Sequence, residues 1–325
     1  MRRLESCWQS PARFLLLPFG LIFGLLAHVR RMLYRYGLLE SIRPPVPVLI
    51  VGNITAGGSG KTPLVAALAE ALAVRGLHPG VVSRGYGGSA AAPLKVDKTG
   101  DPGIFGDEPL LLASKGFPVW VGKKRGDAAL GLLASDPQCD ILIGDDGLQH
   151  YALCRDFEIA VIDGERVFGN GRLLPAGPLR ELPSRLDSVD AIVVNCAGKP
   201  LQLHTSAPVF SMHLSGNVFI SVDHPEISAS EFPGKKLHAI AGIGNPQRFF
   251  DHLAALGLRF TPHPFPDHHP YRSEDLEFED CDIIIMTEKD AIKCRGLAPG
   301  KSWFLPVKAE IDSALVELIL KTLGK

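Results

Sequence analysis

Hydrophobic positions in this chain fall into short, regularly spaced runs, and most have the length and β-branched content of buried strands. VPVLIVG (46–52) is the first, with Pro44, Pro45 and Pro47 punctuating its start. A glycine-rich turn follows at 56–60, and then Leu64, Ala67, Leu68, Ala71 and Leu72 recur at helical spacing until Gly76, with Pro63 near the first helical position. Strand, glycine loop and helix in that order open a parallel α/β unit. The alternation continues through PGVVSRG (79–85), PVWVG (118–122), an Ala- and Leu-rich helix near 126–135, CDILIGDDG (139–147), FEIAVID (157–163) and DAIVVN (190–195). Apolar strands separated by helices imply a parallel sheet covered on both faces.

Further on, PVFSMHL (208–214) and NVFISV (217–222), separated by Ser215 and Gly216, read as a hairpin or a two-stranded linker. KLHAIAGIG, a helix near 246–256, CDIIIMTEKD and SWFLPV then repeat the α/β rhythm on a smaller scale. The predicted organisation is a nucleotide-binding α/β unit over 41–205 and a smaller α/β unit over 206–325.

One run breaks the rhythm. FLLLPFGLIFGLLAHV (14–29) is flanked by Arg2, Arg3 and Arg13 before it and by Arg30, Arg31 and Arg35 after it. Interrupted by Pro18 and two glycines, it falls short of the roughly 20 residues that span a bilayer. Basic flanks on both sides suit a helix lying on an anionic surface with its apolar face in the acyl boundary. A signal peptide shares the basic start and short apolar stretch, but no small-x-small cleavage site follows. A buried amphipathic helix is the other alternative. Residues 1–40 are therefore read as a membrane-association segment.

Composition narrows the class. The 325 residues suffice for two domains. The 34 Lys+Arg nearly cancel the 35 Asp+Glu, for a net charge of -1, which argues against a nucleic-acid binder. A hydrophobic share of 46% argues against disorder. The mean hydropathy of +0.14 reflects in part the N-terminal run. Cys7, Cys139, Cys154, Cys196, Cys281 and Cys294 form no C-x-x-C pair, so neither a disulfide scaffold nor a zinc ribbon is indicated and a reducing, cytoplasmic setting is simplest.

The strongest chemical signal is TAGGSGKT (55–62), placed between a predicted strand and a predicted helix. Phosphate binding needs backbone N–H groups converging on a concavity, a helix N-terminus, a lysine for the β and γ phosphates and a hydroxyl for Mg²⁺. Thr55, Ala56, Gly57, Gly58, Ser59, Gly60, Lys61 and Thr62 supply such a loop, although the strict pattern has glycine where Thr55 stands. The fold class follows: a P-loop NTPase-like parallel sheet. Asp145 and Asp146, closing a hydrophobic strand in CDILIGDDGLQH (139–150), resemble the carboxylates that approach Mg²⁺ beside a phosphate loop, or else ordinary turn chemistry.

Two further motifs leave alternatives open. Asp107 and Glu108 in GDEP (106–109) precede a helix-like stretch and would complement a helix dipole without any catalytic role. In HPFPDHH (263–269), His263, Asp267, His268 and His269 are too crowded for a helix-face metal site, and Asp267 or His268 handling a proton is at least as good a reading.

GNITAGGSGKTP (52–63), VVSRGYGG (81–88), GDEP (106–109), GDDGLQH (144–150), LLPAGPLRE (173–181), FPDHH (265–269) and TEKD (287–290) occur in the order found in tetraacyldisaccharide 4′-kinases, the lipid A 4′-kinases of Gram-negative bacteria. The chain resembles that family over nearly its whole length, the apolar N-terminal helix included. The family keeps a small hydroxyl residue at the Thr55 position, so the departure from the strict loop pattern is expected of it.

The resemblance implies transfer of the ATP γ-phosphoryl group to the 4′-hydroxyl of an acylated glucosamine disaccharide 1-phosphate, forming lipid IVA. It implies ATP and Mg²⁺ as cofactors, with Lys61 on the phosphates and Thr62, Asp145 or Asp146, and Glu108 on the metal. Asp107, paired with His268, would accept the sugar hydroxyl proton, which requires the smaller unit to close over the larger. Arg125, Arg172 and Arg180 are candidates for the substrate's existing phosphate, each with a surface or ion-pair role as the alternative. Tyr86, Gln149 and His150 belong to the motifs without a derived role. The implied partners are the acylated disaccharide and the membrane surface, at the cytoplasmic face of the inner membrane, with no nucleic acid and no protein partner. A P-loop switch or metallochaperone ATPase, or a membrane-bound nucleotide sensor, are the readings from other classes. A lipid acceptor that stimulates ATP consumption would set the kinase apart.

Overall fold

Every predicted strand of the first unit forms within two residues of its expected limits, because each is buried on both faces and needs only a run of apolar residues to specify it. The computed structural model describes residues 8, 10–195, 201, 203–224, 228–230 and 232–325. Arg2, Arg3, Cys7 and Cys196 lie outside them. Helix α1 (Leu17–Arg35) precedes β1 (Val48–Gly52), α2 (Lys61–Val74), β2 (Pro79–Ser83), the short β3 (Leu94–Lys95), α3 (Asp107–Ser114) and β4 (Val119–Val121). Next come α4 (Arg125–Ser135), β5 (Ile141–Asp145), β6 (Phe157–Asp163), β7 (Ala191–Asn195) and β8 (Val209–Ser215). The smaller unit supplies β9 (Phe219–Ser221), β10 (Ser228–Ala229), β11 (Leu237–Ala241), α5 (Pro246–Ala255), β12 (Phe260–Pro264), β13 (Ile283–Thr287), α6 (Glu288–Cys294) and β14 (Ser302–Leu305). Strand β15 (Lys308–Ile311) and α7 (Ser313–Leu323) end the chain.

The larger sheet runs β15-β8-β7-β6-β1-β5-β2-β4-β3, parallel throughout except for its two edge strands. Strand β1 lies between β5 and β6 in the middle, and its side chains divide by parity. Leu49 and Val51 join one core with Leu64, Leu68 and Leu72 of α2, while Val48 and Ile50 join the other with Leu132 and Leu142. Full burial of each such side chain contributes about 1.5–3 kcal/mol. The ends of β1 and β5 therefore sit on a rigid base, at the sheet edge where ligands of open α/β folds bind.

The expected hairpin of 208–214 with 217–222 does not form. Strand β8 pairs with β7 and β15, whereas β9 pairs with β10 and β14 of the smaller sheet, whose order is β10-β9-β14-β13-β11-β12. Two extended segments joined by Ser215-Gly216 satisfy hairpin chemistry locally, but Met212 is wholly buried in the large core and Phe219 in the small one. Burial decides which sheet each strand joins. The chain then returns: β15 extends the larger sheet and α7 places Leu315, Val316 and Ile319 in its core. Residues 209–215 and 308–323, read from sequence as parts of the smaller unit, are hydrogen-bonded or packed into the larger one.

Helix α1 is not a buried amphipathic helix: Gly20 is its one buried residue among those described. A Cβ on Gly20 would stand 3.2 Å from Leu173 O, and one on Gly24 would stand 2.4 Å from Leu173 Cδ1, so this narrow glycine face is where the helix meets the body. Phe19, Leu21, Ile22, Leu25 and Leu26 are exposed on the rest of it. With the preceding turn the helix runs from Arg13 to Arg35, long and apolar enough to cross a membrane by length and composition, although the uninterrupted run in the sequence is shorter.

Candidate active site

The turn from β1 into α2 is shaped before any ligand arrives. Gly60, just ahead of the helix, has φ of 89°, and a Cβ there would meet Asn195 Nδ2 at 2.5 Å and Met212 Cε at 2.7 Å, so only glycine fits. Asn53 donates from Nδ2 to Gly57 O and Ser59 Oγ, Asn195 donates to Ser59 O, and Arg166 donates to Gly58 O. Held in this way, the loop presents the free N–H groups of a helix start to the cleft. Residues 56–62 line that cleft. Thr55 does not: it is buried and its backbone bridges to Leu179.

Two carboxylates close β5 beside this loop and differ sharply in their surroundings. Asp146 has φ of 49° and turns toward cations: Lys61 Nζ lies 3.4 Å from its Oδ1, and Arg180 Nη1 lies 3.0 Å from each oxygen. Burial pushes its carboxyl up, but Lys61, Arg180 and Arg125 outweigh that and hold it well below the usual carboxylate range. Asp145 is 1% exposed, and neither of its oxygens has a hydrogen-bond partner. Burial first, then the charges of Glu108 and Asp146, push it up to about 7. A buried carboxylate with two unused oxygens beside a phosphate loop fits a divalent cation. Among the described residues no three His, Cys, Asp or Glu side chains form a metal cage. That suits Mg²⁺, which takes one or two carboxylates and completes its shell with phosphates and water.

Across the cleft, Asp107 and His268 meet. They stand 161 residues apart in sequence, and His268 Nδ1 lies 3.0 Å from Asp107 Oδ2 and 3.2 Å from Oδ1. Asp107 is buried in the first turn of α3, whereas His268 lines the cleft with Tyr86 packed against it at 5.0 Å between ring centroids. The carboxylate thus stands behind the imidazole, which turns its other nitrogen, Nε2, away from Asp107. The hydrogen bond to Asp107 raises His268 above its ordinary value, with burial and Lys289 opposing. Burial pushes Asp107 upward, and His268, Lys289 and Lys293 together bring it below its ordinary value. Lys289 lies 3.1 Å from Glu108, 3.5 Å from Asp267 and 3.7 Å from Asp107, so GDEP does more than start a helix.

The other sequence candidates separate. Arg125 is 3% exposed and donates from Nη2 to Asp146 O, and Arg180 is held by Asp146; both line the cleft. Arg172 does not line it, because its guanidinium lies over Phe14, 5.8 Å from the ring centroid. Gln149 donates to Asn53 O and to Glu181, tying the DDGLQH segment to the loop's base. His150 accepts from Arg125 N, and burial followed by the charges of Arg125, Arg155, Arg30 and Arg84 pushes it down to about 3, so it is neutral. The metal reading of HPFPDHH does not hold: His263 pairs with His238 at 2.9 Å and His269 with Asp275 at 3.1 Å, each away from His268's partner. Sequence reasoning missed Arg84, two residues from Tyr86 in SRGYGG, and Lys289 and Lys293, which TEKD and its following turn carry.

The cleft has a volume of about 1430 Å³. Its lining includes the phosphate loop and Lys289 and also Phe23, Leu26, Ala27 and Arg30 of α1. Arg30 also donates to Gln149 O at 3.0 Å, joining that helix to the strand-end motif.

Residues 12–324 match the family model described as tetraacyldisaccharide-1-P 4′-kinase. A protein of Azoarcus sp. (strain BH72) named tetraacyldisaccharide 4′-kinase is 52% identical, with 99% of this chain and 96% of that one covered. Another of that name, from Methylobacillus flagellatus, is 50% identical, with 100% and 96% covered. The crystal structure of LpxK from Aquifex aeolicus in complex with ATP superposes with a TM-score of 0.83 at 31% identity, covering 96% of this chain and 99% of that one. Phosphate loop, strand-end carboxylates and the two-unit cleft thus agree with sequence kinship along the whole chain, which belongs to the tetraacyldisaccharide 4′-kinase family.

Proposed function

We propose that the chain transfers the γ-phosphoryl group of ATP to the 4′-hydroxyl of a tetraacyl glucosamine disaccharide 1-phosphate at the cytoplasmic face of the inner membrane, as a peripheral or monotopic protein. One observation carries this reading: a single cleft is lined both by a phosphate loop and by apolar and basic residues of an exposed helix. A soluble nucleotide switch needs no such helix in its nucleotide cleft.

In this reading residues 56–60 cradle the phosphates and Lys61 neutralises charge on the β and γ groups. Thr62 and Asp145, whose oxygens are unused, would hold Mg²⁺, with Asp146 and Glu108 flanking it. The bound cation would offset charge on the phosphoryl group as it transfers. Asp107 and His268 take up the hydroxyl proton, with Asp107 fixing the imidazole orientation and offsetting its charge as it protonates. Tyr86 packs on that imidazole and limits its rotation. Arg125 and Arg180, already committed to Asp146, keep the strand end in place and leave the substrate's own phosphate to the basic wall that includes Arg84 and Lys123.

The test is direct. ATP with purified tetraacyl disaccharide 1-phosphate in detergent should yield a bis-phosphorylated product, detected by mass spectrometry. Well-folded protein that consumes no acceptor, or that hydrolyses ATP at the same rate without it, would sink the reading.

A further inference from the structure

TEKD (287–290) is the motif to which the proposed reaction gives no role, and its last residue is wholly buried. Asp290 Oδ2 accepts from Thr287 Oγ1 at 2.6 Å and from Gly242 N at 3.0 Å. Its Oδ1 lies 3.0 Å from Lys293 Nζ, an ion pair without an aligned hydrogen bond. From this carboxylate two arms lead to the Asp107–His268 pair. Along the first, Gly242 O accepts from His268 N at 3.3 Å, so the residue whose N–H Asp290 grips also holds the histidine backbone through its carbonyl. Glycine is required there, since a Cβ would stand 2.6 Å from Tyr271 Oη and 3.0 Å from Asp290 Oδ1. Along the second, Lys293 Nζ, 8% exposed, lies 3.9 Å from Asp107 Oδ2.

We propose that Asp290 and Lys293 are positioning residues for the Asp107–His268 pair, fixing the histidine through Gly242 and the carboxylate through the buried ammonium. The proposal rests on the reading of that pair as the proton acceptor. A buried ion pair is poor evidence of stability, because its desolvation offsets its attraction and apolar replacements of the same size are often tolerated. Its placement is informative instead. Asp107 belongs to the larger unit and His268 to the smaller, and a hydrogen bond between units is accurate only if both ends are held. Asp290 reaches toward both, through Gly242 and through Lys293. Small displacements matter here, since misplacing a reacting group by about 1 Å lowers rates by about 10²-fold.

Asp290→Asn/Lys293→Met removes both charges together and leaves no buried ion unpaired. Gly242→Ala disturbs the same chain of contacts from its other end, so the test does not depend on one variant folding. Each is expected to bind ATP with unchanged affinity by calorimetry and to lose about tenfold or more in kcat. In a His268→Ala background, each should lower kcat less than about twofold further, because residues that act through one group are not additive. Losses that multiply with His268→Ala, or no loss in either variant, overturn the proposal. If His268→Ala alone keeps the parent kcat, the proton-acceptor reading falls first and this proposal with it. The two failures are therefore distinguishable.

Discussion

Lys61 Nζ lies 3.4 Å from Asp146 Oδ1, and Arg180 contacts both oxygens of the same carboxylate at 3.0 Å. The loop lysine is therefore already paired, and incoming phosphates must exchange with Asp146 for it. Lys61→Ala is expected to weaken ATP binding and to lower kcat by roughly 10²–10³-fold, the size seen when one preorganised charge-stabilising group is removed. Titration calorimetry and steady-state rates check this. Unchanged affinity and turnover would falsify the phosphate-loop assignment.

In the proposed reaction Asp107 and His268 act on the acceptor, not on the nucleotide. Asp107→Asn and His268→Ala are each expected to lower kcat by roughly 10²–10⁴-fold, the range for loss of a general base. ATP affinity should stay within about twofold, because neither residue touches the phosphate loop. Equal losses in affinity and kcat would assign the pair to nucleotide binding instead.

The same pair sets a pH dependence. His268 is raised above its ordinary value of about 6.5, and it accepts a proton only when neutral, so the acidic limb of kcat/KM should lie above that pH. Asp107→Asn removes the main cause of the shift and should move the limb toward acid. For stability the sense reverses. What His268 contributes is fully present below about 6.5 and is lost as pH rises through its folded value. What Asp107 contributes is present above about 3.9 and is lost as pH falls through its depressed folded value. Chemical denaturation across this range, with Asp107→Asn as reference, measures both limbs.

Asp145 should trade stability for function. Without Mg²⁺ its buried, unpartnered carboxylate is a burden when charged, and Asp145→Asn, which removes that charge, is expected to stabilise the metal-free protein at neutral pH and above. Because its pKa rises to about 7, stability should fall between about pH 4 and 7 in the parent and not in the variant. Its activity should be lost at any Mg²⁺ concentration tested. A less stable Asp145→Asn in the absence of metal would contradict the picture.

Leu21 and Leu25 are 74% and 64% exposed on α1. Leu21→Glu/Leu25→Glu should reduce co-sedimentation with anionic vesicles by tenfold or more, since burying each leucine is worth about 1.5–3 kcal/mol. ATP binding in detergent should not change. Retained sedimentation would place membrane contact elsewhere.

Much of this molecule was legible because doubly buried strands announce themselves: VLIVG, FEIAVID and AIVVN needed no partner information to be recognised. The phosphate loop was equally plain, since its geometry is local and fixed by its glycines. What sequence could not supply were relationships decided by burial at long range. Met212 and Phe219 lie seven residues apart and belong to different cores, so the hairpin that Ser215-Gly216 suggested never forms. Arg180 sits in LLPAGPLRE and Arg172 directly precedes it, yet Arg172 lies over Phe14 and Arg180 faces the loop lysine's partner. Lys293 lies outside any motif and became visible only when α6 placed it between two carboxylates.

The return of β15 and α7 to the larger sheet has a consequence for biosynthesis. Residues 308–323 leave the ribosome only after the entire smaller unit has been made, whereas α1 emerges near the start. Until then β8 is an unpaired edge and the apolar surface beneath Leu315, Val316 and Ile319 is bare. The nascent chain can meet a bilayer long before its catalytic sheet is sealed, and the sheet's last strand acts as a seal on the finished product.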